Sequence, residues 1–231
     1  MKIFILITLF FCVFQLNAQD NQGVINNMGS SVLRAGSAVQ SSYGSMAYFY
    51  NPKVKVEGSV YLFNNWENNA RIYTKDNYTY LLRNINLNLE MNSFVSKVAV
   101  DSIYTFNIQN VDKIIIENKI FRQYILNEKK RIFQVVYESS KFALLKSIHV
   151  QYVKASANPM INRPNDKVLK RYSYFIYKDK EFTKIKLTKK NVLNLFHSSK
   201  LENLKKYVRR NRLSYSIEED VKRILTHAGS I

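Results

Sequence analysis

Asn84-Ile85-Asn86-Leu87-Asn88-Leu89-Glu90 alternates polar and apolar residues without a break. Successive side chains of a strand point to opposite faces, so a period of two predicts a β-strand with one face in a core and the other in water. Outward from this stretch, Tyr104, Phe106 and Ile108 repeat the alternation, as do Phe133, Val135 and Tyr137, and then Ile148, Val150 and Tyr152. Ile114-Ile115-Ile116 is a short continuous apolar run, which predicts a strand covered on both faces, and Tyr172 to Tyr177 is two-sided and aromatic. Strands at this spacing, joined by short polar turns, predict a mainly β fold, an antiparallel β-sandwich or curved sheet over residues 53–187.

The turns lack the usual residue. Gly58 is followed by no glycine until Gly229. Asn and Asp tolerate left-handed backbone best after glycine, so the turns are expected at Asp76-Asn77, Asn92-Ser93 and Asp179. The same gap excludes two phosphate-binding devices between Gly58 and Gly229, the G-x-x-x-x-G-K-[ST] loop and the G-x-G-x-x-G turn, because both need glycine for close backbone approach. Pro159 and Pro164 bracket a polar stretch, Asn158 to Asp166, expected to be a long surface loop.

From Thr188 the period becomes helical, giving a small basic helical segment at 188–231. Ser199-Lys200-Leu201-Glu202 and Ser216-Ile217-Glu218-Glu219 have capping-box spacing. Leu201, Leu204 and Val208 form one apolar face; Ile217, Val221, Ile224, Leu225 and Ala228 form another, with Gly229 as the expected stop. Glu218 with Lys222 and Glu219 with Arg223 have the favourable four-residue spacing for ion pairs.

The start of the chain reads as an export signal over residues 1–19. Lys2 precedes the apolar run Ile3 to Leu16, which is shorter than the roughly 20 residues of a spanning helix, and Asn17-Ala18-Gln19 supplies a small residue for cleavage. Residues 20–52, rich in Gly, Ser, Asn and Gln, are expected to be a flexible lead-in. Cys12 is the sole cysteine and lies within the signal, so the mature chain is expected to use neither disulfides nor thiolate chemistry.

The net charge is +18, and residues 163–231 carry eighteen Lys and Arg against seven Asp and Glu. Lys205, Lys206, Arg209, Arg210 and Arg212 are the densest cluster and the leading anion-binding candidates. A basic amphipathic helix suits an anionic membrane surface, and an acidic polysaccharide or an envelope protein is the other partner class. Export argues against intracellular nucleic acid, and an AT-rich genome would raise the Lys count with no binding role. Trp66, the sole Trp, stands in Asn64-Asn65-Trp66-Glu67-Asn68-Asn69, where it is either a sugar-stacking ring among hydrogen-bonding amides or a core plug.

Catalytic signals are weak. His149, His197 and His227 form no ligand pair, no G-x-S-x-G elbow exists, and acidic residues are scattered through the body. No catalytic residue, metal or cofactor is assigned. The cleavage site, Glu57-Gly58-Ser59-Val60-Tyr61-Leu62-Phe63-Asn64-Asn65-Trp66 and Leu213-Ser214-Tyr215-Ser216-Ile217-Glu218-Glu219-Asp220 together resemble exported Bacteroidetes-type envelope proteins without assigned function. That resemblance implies a periplasmic or outer-membrane-associated setting and carries over no catalytic residue. The expected role is a non-enzymatic binding or structural module of the envelope. The alternative is an exported hydrolase acting on glycans, which would need a carboxylate pair within a concave site.

Overall fold

A computed structural model describes residues 44–48, 56–99, 102–156, 165–196 and 198–230. The export signal, most of the expected lead-in and the Pro159–Pro164 stretch lie outside the described residues. Among the described residues, thirteen strands and three helices follow in chain order, in two mainly antiparallel sheets and a helical segment. The strands are β1 (Gly44–Tyr48), β2 (Val56–Glu57), β3 (Ala70–Thr74), β4 (Thr79–Leu82), β5 (Ile85–Asn88), β6 (Ser93–Lys97), β7 (Ser102–Phe106), β8 (Val111–Ile116), β9 (Lys119–Leu126), β10 (Lys129–Glu138), β11 (Ala143–Val153), β12 (Asp166–Lys178) and β13 (Glu181–Ile185). The helices are α1 (Lys189–Leu193), α2 (Ser198–Arg210) and α3 (Glu218–Ser230). The mainly β class with a small helical end is as the alternation predicts. Strand structure begins before residue 53, however, because β1 pairs with β7.

The large sheet runs β13-β12-β11-β10-β9-β8-β3-β4, with β2 beside the start of β12. Its register places Ile185, Tyr174, Lys146, Gln134, Phe121, Ile114, Ile72 and Tyr80 in one row across the inner face. The adjoining outer row is Lys184, Phe175, Leu145, Val135, Ile120, Ile115, Arg71 and Leu81. Two different covers share the inner face. The small sheet, β1-β7-β6-β5, supplies Ile85, Leu87 and Phe94 to a core with Ile72, Ile114, Ile116 and Phe121, giving a sandwich-like arrangement. The helices supply Val192, Leu204, Val208, Val221, Ile224 and Leu225 to a second core with Val136, Leu144 and Ile176.

Between these covers the large sheet forks. β10 and β11 pair from Gln134↔Lys146 to Glu138↔Ala143, with a bulge at Val136, and their mutual register ends there. Upstream, β10 continues to pair with β9, while β11 continues with β12. The side-chain amide of Asn92, on the β5–β6 turn of the small sheet, fills the opened edge. It donates to Lys130 O at 3.1 Å and accepts from Ile132 N at 3.0 Å. A side chain thus stands where a strand would.

β5 corrects the reading of its own alternation. All four of its residues are buried, with Asn86 at 0% exposure, because the 60–68 segment crosses its polar face. Asn86 accepts from Phe63 N and donates to Phe63 O and Asn65 O, so its amide substitutes for a strand pair. Ile115 is half-buried, not covered on both faces as expected, and Ile108 falls beyond the end of β7.

The turns behave as the missing glycines require. Asn77, Asn92 and Asp179 all take positive φ. Glu117-Asn118, Asn127-Glu128 and Asp179-Lys180 each place two consecutive left-handed residues between paired strands, the geometry of a two-residue hairpin whose twist matches the sheet. Gly58, at φ 94°, is needed on steric grounds as well: a Cβ there would meet Val168 O at 2.4 Å.

The helix ends differ in detail from expectation. Thr188 caps α1, its hydroxyl accepting from Asn191 N. α2 begins at Ser198, a residue before the expected Ser199 cap. α3 opens on the carbonyl of Ile217, and Ser214 N donates to Asp220 Oδ2, so the first turn is tied down by Asp220 and not by Ser216. Ile217 is exposed, because it lies outside the helix and off its apolar face. Gly229 does not stop α3 but lies inside it, where a Cβ would come 2.7 Å from the Tyr137 hydroxyl.

Candidate functional site

The basic cluster sits on the outer side of α2. Leu204 and Val208 are buried against α3 and the sheet, which fixes the helix rotation and turns Lys206, Arg209 and Arg210 to solvent. Arg212 lies past the helix end at φ 53°, with Arg212 N bonded to Arg209 O and Leu213 N to Val208 O. This closes α2 in the manner usually served by glycine. Lys205 departs from the group, being half-buried and ion-paired with Glu202 at 2.7 Å. Glu202 is held below the ordinary carboxylate range by the hydrogen bond and charge of Lys205, with Lys206 and Arg209 adding to the effect. Among the described residues, no acidic side chain pairs with Lys206, Arg209, Arg210 or Arg212.

Two further cations join this segment that sequence reasoning assigned elsewhere. Lys222 and Arg223 were expected to pair with Glu218 and Glu219 along α3, yet both are exposed and no such pair forms. Glu218 faces the sheet instead. It takes Lys146 Nζ at 2.7 Å, the Tyr174 hydroxyl at 2.7 Å and Gln134 Nε2 at 3.2 Å. These three donors come from β11, β12 and β10 at the point where the sheet forks. Lys146 Nζ also lies over the Tyr172 ring at 4.3 Å. Burial, then the hydrogen bond and charge of Glu218, push the Tyr174 phenol well above its ordinary value. The cluster is internally satisfied and reads as the joint that seats α3.

Trp66 is half-buried, its ring edge-on to Tyr61 at 4.7 Å. The neighbouring amides are largely engaged. Asn68 donates to Asn65 O and Ile85 O, and Asn64 Oδ1 accepts from Lys170, which also holds Leu62 O at 2.8 Å. The loop is therefore pinned from within, and the Trp66 face is partly used for packing.

The outer face of the large sheet brings two carboxylates together. A cleft of about 470 Å³ holds Asp112 and Glu138 on either side of Arg122, with Tyr124 and Tyr177 beside them. Arg122 bonds to Glu138 and lies 3.7 Å from Asp112. Burial lowers and the charges of Glu138 and Asp112 raise the Arg122 pKa, with a net upward shift. Arg122 thus stands between the two carboxylates and contacts both.

His149 is exposed on the outer face, and His227 stacks on Tyr207 at 3.7 Å; His197 lies outside the described residues. Among the described residues, no three His, Cys, Asp or Glu converge as a metal site would require, and no helix is long and apolar enough to cross a membrane. No family model, curated protein or solved structure matches the chain.

Proposed function

We propose that this chain is an exported, non-enzymatic binding module of the bacterial cell envelope that holds an anionic membrane surface through its C-terminal helical segment. The observation that carries this reading is the row of unpaired cations on α2, Lys206, Arg209 and Arg210, turned outward by the burial of Leu204 and Val208. Arg212, exposed just past the end of α2, adds a further cation. Each cation near an anionic bilayer surface is worth about 1 kcal/mol, so a handful gives a hold that is useful, reversible and sensitive to salt. The glycan hydrolase alternative loses ground because Arg122 occupies the gap between Asp112 and Glu138.

Fractionation of native cells tests this. Membranes carrying the mature protein are washed at low and then at high salt. Release at high salt, together with loss of membrane association in a Lys206→Gln/Arg209→Gln/Arg210→Gln variant, is the expected result. Recovery as a soluble protein already at low salt, or retention through both washes, overturns it.

A further inference from the structure

Ile217 breaks two rules of its position at once. Its carbonyl accepts the first intrahelical bond of α3, from Val221 N at 2.9 Å, which puts it at the cap of that helix. Ser, Thr, Asp and Asn are favoured there because their side chains bond the free N–H groups of the first turn, and Ile is among the poorest choices. Nor does the side chain pack, for Ile217 is 56% exposed. A residue that neither caps nor packs stands where local stability would not put it.

Its neighbours indicate what it meets. Ile217 ends the short turn that begins at Arg212, just past α2. That turn is fixed from within: Ser214 N donates to Asp220 Oδ2 at 2.8 Å, Ser214 Oγ lies 2.9 Å from Ser216 Oγ, and Leu213 is buried. Burial raises the Tyr215 pKa and the charge of Lys205 opposes it, so the turn runs along the flank of α2 that carries Lys205 and, one helical turn on, Arg209. Arg209, Arg210 and Arg212 are all exposed where the turn starts. Of the acids nearby, Glu218 is committed to Lys146, Asp220 is bonded to Ser214 N, and Glu219 faces solvent. An exposed aliphatic side chain on a fixed turn beside several cations suits an anionic bilayer. The apolar group enters the acyl boundary while the guanidinium groups stay among the headgroup phosphates. An acidic polysaccharide would offer the cations a partner but the Ile217 side chain none.

We propose that Ile217 is the residue by which the basic segment enters the bilayer, with the α2–α3 turn leading. This rests on the membrane reading and adds to it an orientation and an apolar share of the hold. One aliphatic side chain is too little to keep the protein on the membrane by itself, so binding retains its dependence on salt.

Ile217→Ser makes the test clean. It supplies the hydroxyl that the cap lacks, so the variant should melt at or above the parent Tm, and lost binding cannot be laid to unfolding. The mature protein is sedimented with vesicles of phosphatidylglycerol and phosphatidylethanolamine in equal parts, or of phosphatidylcholine alone. The parent should bind the anionic vesicles and not the neutral ones, and Ile217→Ser should bind them about tenfold more weakly. Ile217→Trp should bind at least as well as the parent. On anionic vesicles its emission should be quenched by lipid brominated in the acyl chains, with Trp66 of the parent as the reference. Equal affinity in Ile217→Ser, or Ile217→Trp emission untouched by the brominated lipid, overturns this proposal, while binding by the parent leaves the membrane reading in place. A parent that does not bind the anionic vesicles overturns both.

Discussion

Tyr174 keeps its phenolic proton pointed at Glu218, 2.7 Å away, and that contact links protonation to folding. The folded state holds the proton more tightly than the unfolded chain does, because burial and the nearby carboxylate both disfavour the phenolate. A raised folded value means the contribution is fully present below the ordinary value of 10.0 and is lost as pH climbs beyond it. Melting curves of the parent should therefore fall in Tm above about pH 10, and Tyr174→Phe should flatten that fall. At neutral pH the same change should cost about 1–2 kcal/mol, since Glu218 loses one of three donors. An unchanged alkaline profile in Tyr174→Phe would sever this link. Asn86 is the other instructive residue, an amide buried completely yet satisfied by the backbone of Phe63 and Asn65.

At the scale of elements, the hairpins carry avoidable strain. Three two-residue turns place Glu, Lys, Asn or Asp at positive φ where glycine would cost nothing sterically. A left-handed L-residue costs roughly 1–2 kcal/mol, offset in part because glycine loses more entropy on folding. Lys180→Gly and Glu128→Gly should each stabilise the fold by about 0.5–1 kcal/mol, seen as a higher Tm with an unchanged denaturant slope. No gain in either variant would show that the turns are set by the flanking strands alone. The same chemistry closes α2 at Arg212, so the basic cluster and the helix stop share a residue.

For the whole molecule, the forked sheet is the organising feature, because it gives the small sheet and the helices separate places on one face. Asn92 bridges the fork from the small sheet to β10, and it does so from φ 51°. Asn92→Ala removes both bonds and adds left-handed strain, so it should cost about 2–3 kcal/mol and speed hydrogen exchange at the Ile132 amide. Asn92→Gly, which relieves the strain, should recover part of the stability but none of the protection; protection equal to the parent in both would refute the bridge. Alternation of Ile85, Leu87 and Leu89, glycine scarcity and the period change at Thr188 were enough to set the mainly β class, the turn positions and the helical end, because each follows from local sterics and side-chain periodicity. The apolar face of α2 was legible too, since Leu204 and Val208 are buried as their spacing implies. What local pattern could not reveal was which segment covers the polar face of β5, that Glu218 bonds to Lys146 and not Lys222, or that Arg71, Leu81 and Ile115 meet beside an Asn-rich loop. Those partners are separated by long stretches of chain, and only strand register and the packing of one layer on another bring them within reach.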